Sequence, residues 1–188
     1  AHGKSEGKYI CFGVKERYDC LSWVQKINEI YAETIDIYLQ GISMGATTVT
    51  MAATLPLPSN VRGLIADCGF SSPHAIFKSV LHRVYHLPAF PVLPMTSMIS
   101  KLIAGFAFDD ADTITDAPRQ TLPALLIHGN DDHFVPTEMT VSLFRKYGGE
   151  KELILVDNAG HGMSYLLDPV RCADSLRAFI EKNASHKS

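Results

Sequence analysis

The sequence lacks a long hydrophobic run and an excess of positive charge. Its most apolar stretch, residues 87–100, holds three prolines and is followed by Lys101, whereas a membrane-spanning helix needs roughly 20 apolar residues. Lys and Arg number 17 against 20 Asp and Glu, which gives a net charge of −3 and no basic surface for nucleic acid. We therefore expect neither a membrane nor a nucleic acid as a partner, and a small molecule as the substrate.

Paired cysteines are also absent. Disulfide frameworks and zinc sites use closely spaced cysteines, but the four cysteines here are far apart and form no CxxC pair. We therefore expect reduced thiols in a cytoplasmic protein. The residues concerned are Cys11, Cys20, Cys68 and Cys172.

What the sequence does contain is an alternation of two patterns. Continuously apolar runs, typical of parallel strands covered on both faces, occupy residues 35–40, 61–67, 123–129 and 151–157. Stretches with the helical spacing of apolar residues occupy residues 15–32, 46–57, 138–149 and 169–183. This alternation predicts an α/β fold with a mainly parallel sheet and flanking helices, in a single domain over residues 1–188.

One interval breaks the alternation. Residues 71–121 separate two predicted strands, which is more than a simple crossover needs, and they contain two helical patterns. We predict an inserted helical cap. Its apolar side chains either line an acyl pocket or pack the cap on the sheet, and the candidates for the pocket are Phe77, Leu81, Tyr85, Phe90, Met95 and Met98.

The stretch GISMG places Ser43 between Gly41 and Gly45, after a strand pattern and before a helix pattern. A serine on such a sharp turn projects its hydroxyl, provided that the flanking glycines remove side chains from the turn. A nucleophilic serine also needs a base and donors for the oxyanion. The backbone N–H of Met44, at the predicted helix start, is a candidate oxyanion donor.

A base and an acid follow later strands. His161 lies between two glycines after the fourth apolar run, and Asp131 and Asp132 follow the third. Side chains at the carboxyl ends of parallel strands meet at one edge of a sheet. We therefore predict that Ser43, His161 and one of the two aspartates meet there, and the residues alone leave both aspartates open.

The motifs together resemble the α/β-hydrolase superfamily, and within it bacterial prolyl-oligopeptidase-like or serine-aminopeptidase-like hydrolases. GISMG is similar to the nucleophile elbow, HGNDDHFVP to the acid segment and AGHG to the histidine loop. The resemblance implies that Asp132, rather than Asp131, is the acid. It implies ester hydrolysis through an acyl-enzyme without metal or organic cofactor, with a peptidase or a thioesterase as alternatives.

The same resemblance shows a departure. Complete members have several strands before the elbow strand, whereas 34 residues precede Ile35 here. We therefore expect a sheet without its N-terminal half, no candidate for a second oxyanion donor, and an unpaired edge that favours self-association. These expectations support one alternative function, an impaired fragment that acts as a binding or assembly module.

A metal-dependent hydrolase is a further alternative. Asp131, Asp132 and His133 are adjacent in the sequence and belong to residue types that bind metals. The HExxH spacing of many zinc hydrolases is absent, so this alternative has less support than the serine hydrolase.

Overall fold

A computed structural model describes residues 3–185 and contains one parallel sheet. Its strands lie in the order β1-β2-β3-β4, and every neighbouring pair is parallel. The strands are β1 (Ile37–Ile42), β2 (Val61–Asp67), β3 (Ala124–Gly129) and β4 (Lys151–Val156). The α/β fold predicted from the apolar runs is confirmed.

Helices connect and cover the strands. They are α1 (Glu16–Tyr31), α2 (Met44–Ala52), α3 (Pro73–Arg83), α4 (Val92–Ile103), α5 (Thr113–Asp116), α6 (Thr137–Lys146), α7 (Ser164–Leu167) and α8 (Pro169–Asn183). A single 3₁₀ turn, Ala117–Arg119, follows α5. Because each strand pair is parallel, a crossover must return the chain to the same end of the sheet, and every crossover here contains helix.

Apolar side chains cover both faces of the sheet. One cluster joins β-strand residues such as Leu64 and Leu126 to Val49 of α2 and Leu143 of α6. The opposite cluster joins other strand residues, among them Leu125, to Phe179 and Cys172 of α8. The sheet is therefore the middle layer of three, which explains why its strands read as continuous apolar runs.

The β1 strand is an edge of this sheet. Within residues 3–185 it pairs with β2 alone, and Ile42 at its end is 55% exposed. By contrast, every residue of β3 is buried. The small four-stranded sheet agrees with the expectation of an incomplete hydrolase sheet, while self-association through β1 stays a prediction.

The interval 71–121 contains α3, α4, α5 and the 3₁₀ turn. Phe106 and Phe108 in this interval pack with Leu93 of α4 and with Met51 of α2. The end of the interval belongs to the main core, because Ala117 is fully buried there. The interval therefore contains the helices that the sequence predicted. Its last residues pack in the main core rather than in a separate cap.

Two sequence expectations concern the whole chain. None of the helices within residues 3–185 is long and apolar enough to cross a membrane. None of the four cysteines forms a disulfide bond, as expected from their spacing.

Candidate active site

Ser43 occupies a single-residue turn between β1 and α2. Its backbone has φ 54° and ψ −118°, which a residue other than glycine adopts at a cost of about 1–3 kcal/mol. Two hydrogen bonds hold the turn: the Ser43 N–H donates to the Asp67 carbonyl at 2.8 Å, and the Thr47 N–H donates to the Ser43 carbonyl at 3.1 Å. The strand and the helix thus fix Ser43 in a strained conformation.

The two glycines of GISMG are not equivalent. A Cβ on Gly41 would lie 2.2 Å from the carbonyl carbon of Gly45, whereas a Cβ on Gly45 would meet no atom within 4 Å. Within residues 3–185, the expectation that both glycines make room for the turn therefore holds for Gly41 and not for Gly45. Gly41 is the residue that lets β1 pass close to the start of α2.

A continuous chain of hydrogen bonds joins three predicted site residues. His161 Nε2 lies 2.9 Å from Ser43 Oγ, and His161 Nδ1 lies 2.7 Å from Asp132 Oδ2. An ionised carboxylate only accepts hydrogen bonds, so Nδ1 carries the ring proton in a neutral imidazole. Nε2 then has a free lone pair directed at the Ser43 hydroxyl.

Asp132 is buried and held by the backbone. Its Oδ1 accepts hydrogen bonds from the N–H groups of Phe134 and Val135, both at 2.9 Å. Burial alone would raise the pKa of this carboxyl, but the hydrogen bonds from His161, Val135 and Phe134 outweigh burial and lower the pKa below its ordinary value. Asp132 is therefore an anion with a fixed orientation.

Asp131 and His133 point away from this arrangement. Asp131 Oδ1 lies 3.2 Å from His133 Nε2 on the exposed surface, while the neighbouring Asp132 side chain is buried. The three residues of the metal-dependent alternative thus do not converge on one point.

The buried His128 side chain lies next to Asp132. This fully buried imidazole places Nδ1 2.6 Å from Thr140 Oγ1 and Nε2 3.1 Å from the Val135 carbonyl. Its Nε2 also lies 3.2 Å from Asp132 Oδ2. Burial is the main cause that lowers the His128 pKa, which keeps the ring neutral. The sequence showed His128 only as the end of a buried strand.

The acid loop and the histidine loop are tied to each other. Asn130 Nδ2 donates to Asp157 at 2.6 Å, and Asn130 Oδ1 accepts from the Asn158 N–H at 2.8 Å. In addition, the Asp131 N–H donates to the Ala159 carbonyl at 3.0 Å. These bonds set the distance between Asp132 and His161 independently of their own contact.

Two residues at the carboxyl end of β2, its last residue Asp67 and the following Cys68, were missed by the sequence reasoning. Asp67 is buried, and burial raises the pKa of its carboxyl, which accepts a hydrogen bond from Ser164 Oγ at 3.3 Å. Cys68 is fully buried at φ 47°, and burial is the main cause that raises its thiol pKa to about 12. Their position at the carboxyl end of a predicted parallel strand, where binding sites gather, was the feature of the sequence that could have indicated them.

Phe134 is a further residue that sequence reasoning missed. Its ring lies edge-on to the His161 imidazole, with 5.0 Å between centroids and 63° between planes. The ring remains 53% exposed, so it forms part of the open surface beside the base. Phe134 lies within the HGNDDHFVP segment, but a phenylalanine carries no group that would mark it as a site residue.

Met44 is the first residue of α2. The first N–H groups of a helix have no acceptor within the helix and carry the positive end of its dipole. A cavity of about 540 Å³ borders Met44 and is lined by residues of α1 and by Ser5, Glu6 and Ile10. Sequence reasoning expected the pocket in the cap and did not anticipate this cavity.

The predicted pocket residues of the cap fall into two groups. Phe77, Leu81 and Tyr85 line an apolar groove of about 290 Å³ together with Leu93 and Phe108. The other three candidates are not among its lining residues and are largely exposed: Phe90 at 77%, Met95 at 56% and Met98 at 61%. For these three, a role in an acyl pocket stays a prediction.

Comparison with solved structures defines the class of this fold. The chain superposes on the Pyrococcus furiosus esterase Pf2001 with a TM-score of 0.71, at 21% identity, over 98% of this chain and 68% of the esterase. It superposes on a monoacylglycerol lipase from Paleococcus ferrophilus with a TM-score of 0.60, at 22% identity, over 99% of this chain and 80% of the lipase. The chain has the α/β-hydrolase fold, which confirms the resemblance drawn from the motifs.

A sequence relative extends this comparison. The chain is 30% identical to the uncharacterized protein YqkD of Bacillus subtilis over 180 residues, which is 96% of this chain. It spans 59% of the length of YqkD. The Pyrococcus horikoshii acylaminoacyl peptidase is another structural relative, with a TM-score of 0.71 at 17% identity over 94% of this chain and 29% of the peptidase. No protein-family model matches the chain.

Proposed function

We propose that the protein is a serine hydrolase that cleaves a carboxylic ester through an acyl-enzyme. The hydrogen-bond chain from Ser43 Oγ through His161 to Asp132, with distances of 2.9 and 2.7 Å, is the observation that carries this proposal. Three side chains from three separate loops make it, and Ser43 contributes from the strained turn with φ 54°.

In the proposed mechanism each residue has one role. Ser43 Oγ attacks the ester carbonyl carbon while its proton moves to His161 Nε2, and the carbonyl oxygen becomes an oxyanion that the Met44 N–H stabilises. His161 then returns the proton to the leaving alcohol. A water molecule, activated by His161, then attacks the acyl-enzyme in the same way, which releases the carboxylic acid and restores Ser43. Asp132 stays ionised throughout and stabilises the imidazolium.

An ester is the preferred substrate because its alcohol leaves more readily than the amine of a peptide, so its cleavage demands less of these groups. The structural relatives named as esterases and a lipase support this choice, and the apolar cap groove suits an acyl chain of short or medium length. An acylaminoacyl peptidase also shares the fold, so peptide and thioester cleavage remain alternative outcomes of the experiment below.

A fluorophosphonate probe tests the proposal directly, because it labels only an activated serine. We expect labelling of the wild type and none of Ser43→Ala, with Ser164→Ala as a matched control that keeps its labelling. Hydrolysis of p-nitrophenyl acetate, butyrate and octanoate, compared with a peptide anilide and an acyl thioester, then ranks the substrates. A folded wild type that neither labels nor hydrolyses any of them contradicts the proposal and favours the binding or assembly module.

A further inference from the structure

A buried thiol beside the hydrogen-bond chain takes no part in the proposed hydrolysis. Cys68 lies directly after β2 and is fully buried. Its Sγ, a ring nitrogen of His161 and a carboxylate oxygen of Asp132 all lie within 4.8 Å of one another. In the part of the chain that the structure describes, no other three Cys, His, Asp or Glu side chains are grouped so closely.

These three groups are ligands that zinc-like cations prefer. Zinc bonds of about 2.0–2.3 Å keep tetrahedral ligand atoms roughly 3.3–3.8 Å apart. Binding therefore requires Cys68 Sγ to approach the other two ligand atoms by up to about 1 Å, and His161 Nδ1 and Asp132 Oδ2, now 2.7 Å apart, to separate slightly. The His161 loop can supply this movement because Gly160 and Gly162 flank the imidazole.

We propose that Cys68, His161 and Asp132 form a binding site for a thiophilic divalent cation such as Zn²⁺, and that the bound cation blocks hydrolysis. Binding releases the Cys68 thiol proton to solvent and involves no oxidant. A neutral imidazole has one lone pair. Whichever ring nitrogen binds the cation, that lone pair is no longer free to take the Ser43 proton. The blocking effect rests on the proposed function, whereas binding does not.

Cadmium is the probe for the site, because a cadmium–thiolate bond absorbs in the near ultraviolet. We expect a band that saturates at one cadmium per chain in the wild type and in Cys172→Ser, and no such band in Cys68→Ser or Cys68→Ala. Cys172 is the matched control because its thiol is equally buried and bonds to the Ser164 carbonyl instead. Circular dichroism verifies that each variant is folded. A band of equal intensity in the folded Cys68 variants overturns the site.

Inhibition by zinc is measured against the uninhibited rate of each variant. We expect Cys68→Ser to need at least ~10-fold more Zn²⁺ than the wild type for half-inhibition, and equal sensitivity overturns the blocking effect. Ser43→Ala separates the two proposals, because it should keep the cadmium band while it hydrolyses nothing. A wild type with the band but without hydrolysis contradicts the proposed function, and one with hydrolysis but without the band contradicts the metal site.

Discussion

The candidate active site and the cap are built in different ways. Around Asp132 and His161, buried polar atoms are paired with one another at short distances, and the loops are linked by the Asn130 side chain. In the cap, α4 buries Leu93 but leaves Met95, Met98 and Leu102 more than half exposed. One region is defined by hydrogen bonds and the other by a partly covered apolar surface.

This difference separates chemistry from substrate choice. Hydrogen bonds are directional, so a few of them fix the positions of Ser43, His161 and Asp132 without help from the cap. Apolar contacts are not directional, so the cap groove can change its shape without disturbing those positions. Substitutions in the first region should therefore have large effects, and substitutions on the exposed side of α4 small ones.

The largest effect is expected from Asp132→Asn. Asparagine keeps the shape of the side chain but removes its charge and allows the wrong His161 tautomer, so kcat should fall by about 10⁴-fold. Asp131→Asn is the matched control, because the Asp131 side chain lies on the surface beside His133 and its loss should leave kcat unchanged. Steady-state ester hydrolysis measures both, and equal losses in the two variants would contradict the assignment of the acid.

Gly41→Ala should have the next largest effect. The new Cβ would lie 2.2 Å from a backbone carbon of Gly45, so the turn must open, at a cost that we place above about 4 kcal/mol. Gly45→Ala adds a Cβ into open space and should leave the free energy of unfolding unchanged or slightly higher. Urea denaturation of both variants provides the comparison. If both glycines prove equally intolerant, the geometry of the turn described above is wrong.

Much of the fold was predictable because its signals are local. The four apolar runs gave the strands within one or two residues, and the glycine-flanked Ser43 and His161 were recognisable from neighbouring residues alone. By contrast, the positions of Cys68 and His128 near Asp132 depend on how β2 and β3 pair, which no short stretch of sequence encodes. The choice of Asp132 over Asp131 required a family resemblance for the same reason.

The apolar pattern of α1 and the cap was less informative. Tyr18, Ile30 and Tyr31 follow the helical spacing of a buried face, yet all three are at least half exposed. Of α1, only Val24 is fully within the core. Periodicity indicates that a helix has an apolar side, but the partner that covers this side lies elsewhere in the chain or outside it.

Thr140→Val tests the buried support of the site. Valine keeps the volume but removes the hydroxyl that lies 2.6 Å from His128 Nδ1, which leaves a buried ring nitrogen without a partner at a cost of about 1–3 kcal/mol. Thr96→Val is the matched control in the cap, because its hydroxyl bonds only to its own helix on the exposed side. Thermal unfolding should show a clear loss for the first variant and almost none for the second.

Asp67→Asn should stabilise the protein in a pH-dependent way. Burial raises the folded-state pKa of Asp67, so its ionised form costs stability above that pKa, and this cost disappears below the unfolded-state pKa. The variant should therefore unfold about 2–4 °C higher at neutral pH, the shift that roughly 1 kcal/mol produces in a domain of this size. The difference should vanish near pH 3. A gain that persists at pH 3 would indicate better packing rather than a removed charge.

The smallest effect is expected from Met98→Ser on the exposed side of α4. Because 61% of the Met98 residue is exposed, its replacement removes little buried apolar area and should change the free energy of unfolding by less than ~0.5 kcal/mol. Leu93→Ala, five residues earlier in the same helix and buried against Phe106 and Phe108, should cost about 2–5 kcal/mol. Urea denaturation at two protein concentrations measures both. If Met98→Ser costs as much as Leu93→Ala and the loss grows with protein concentration, a second chain covers α4, and the cap surface is then as fixed as the candidate active site.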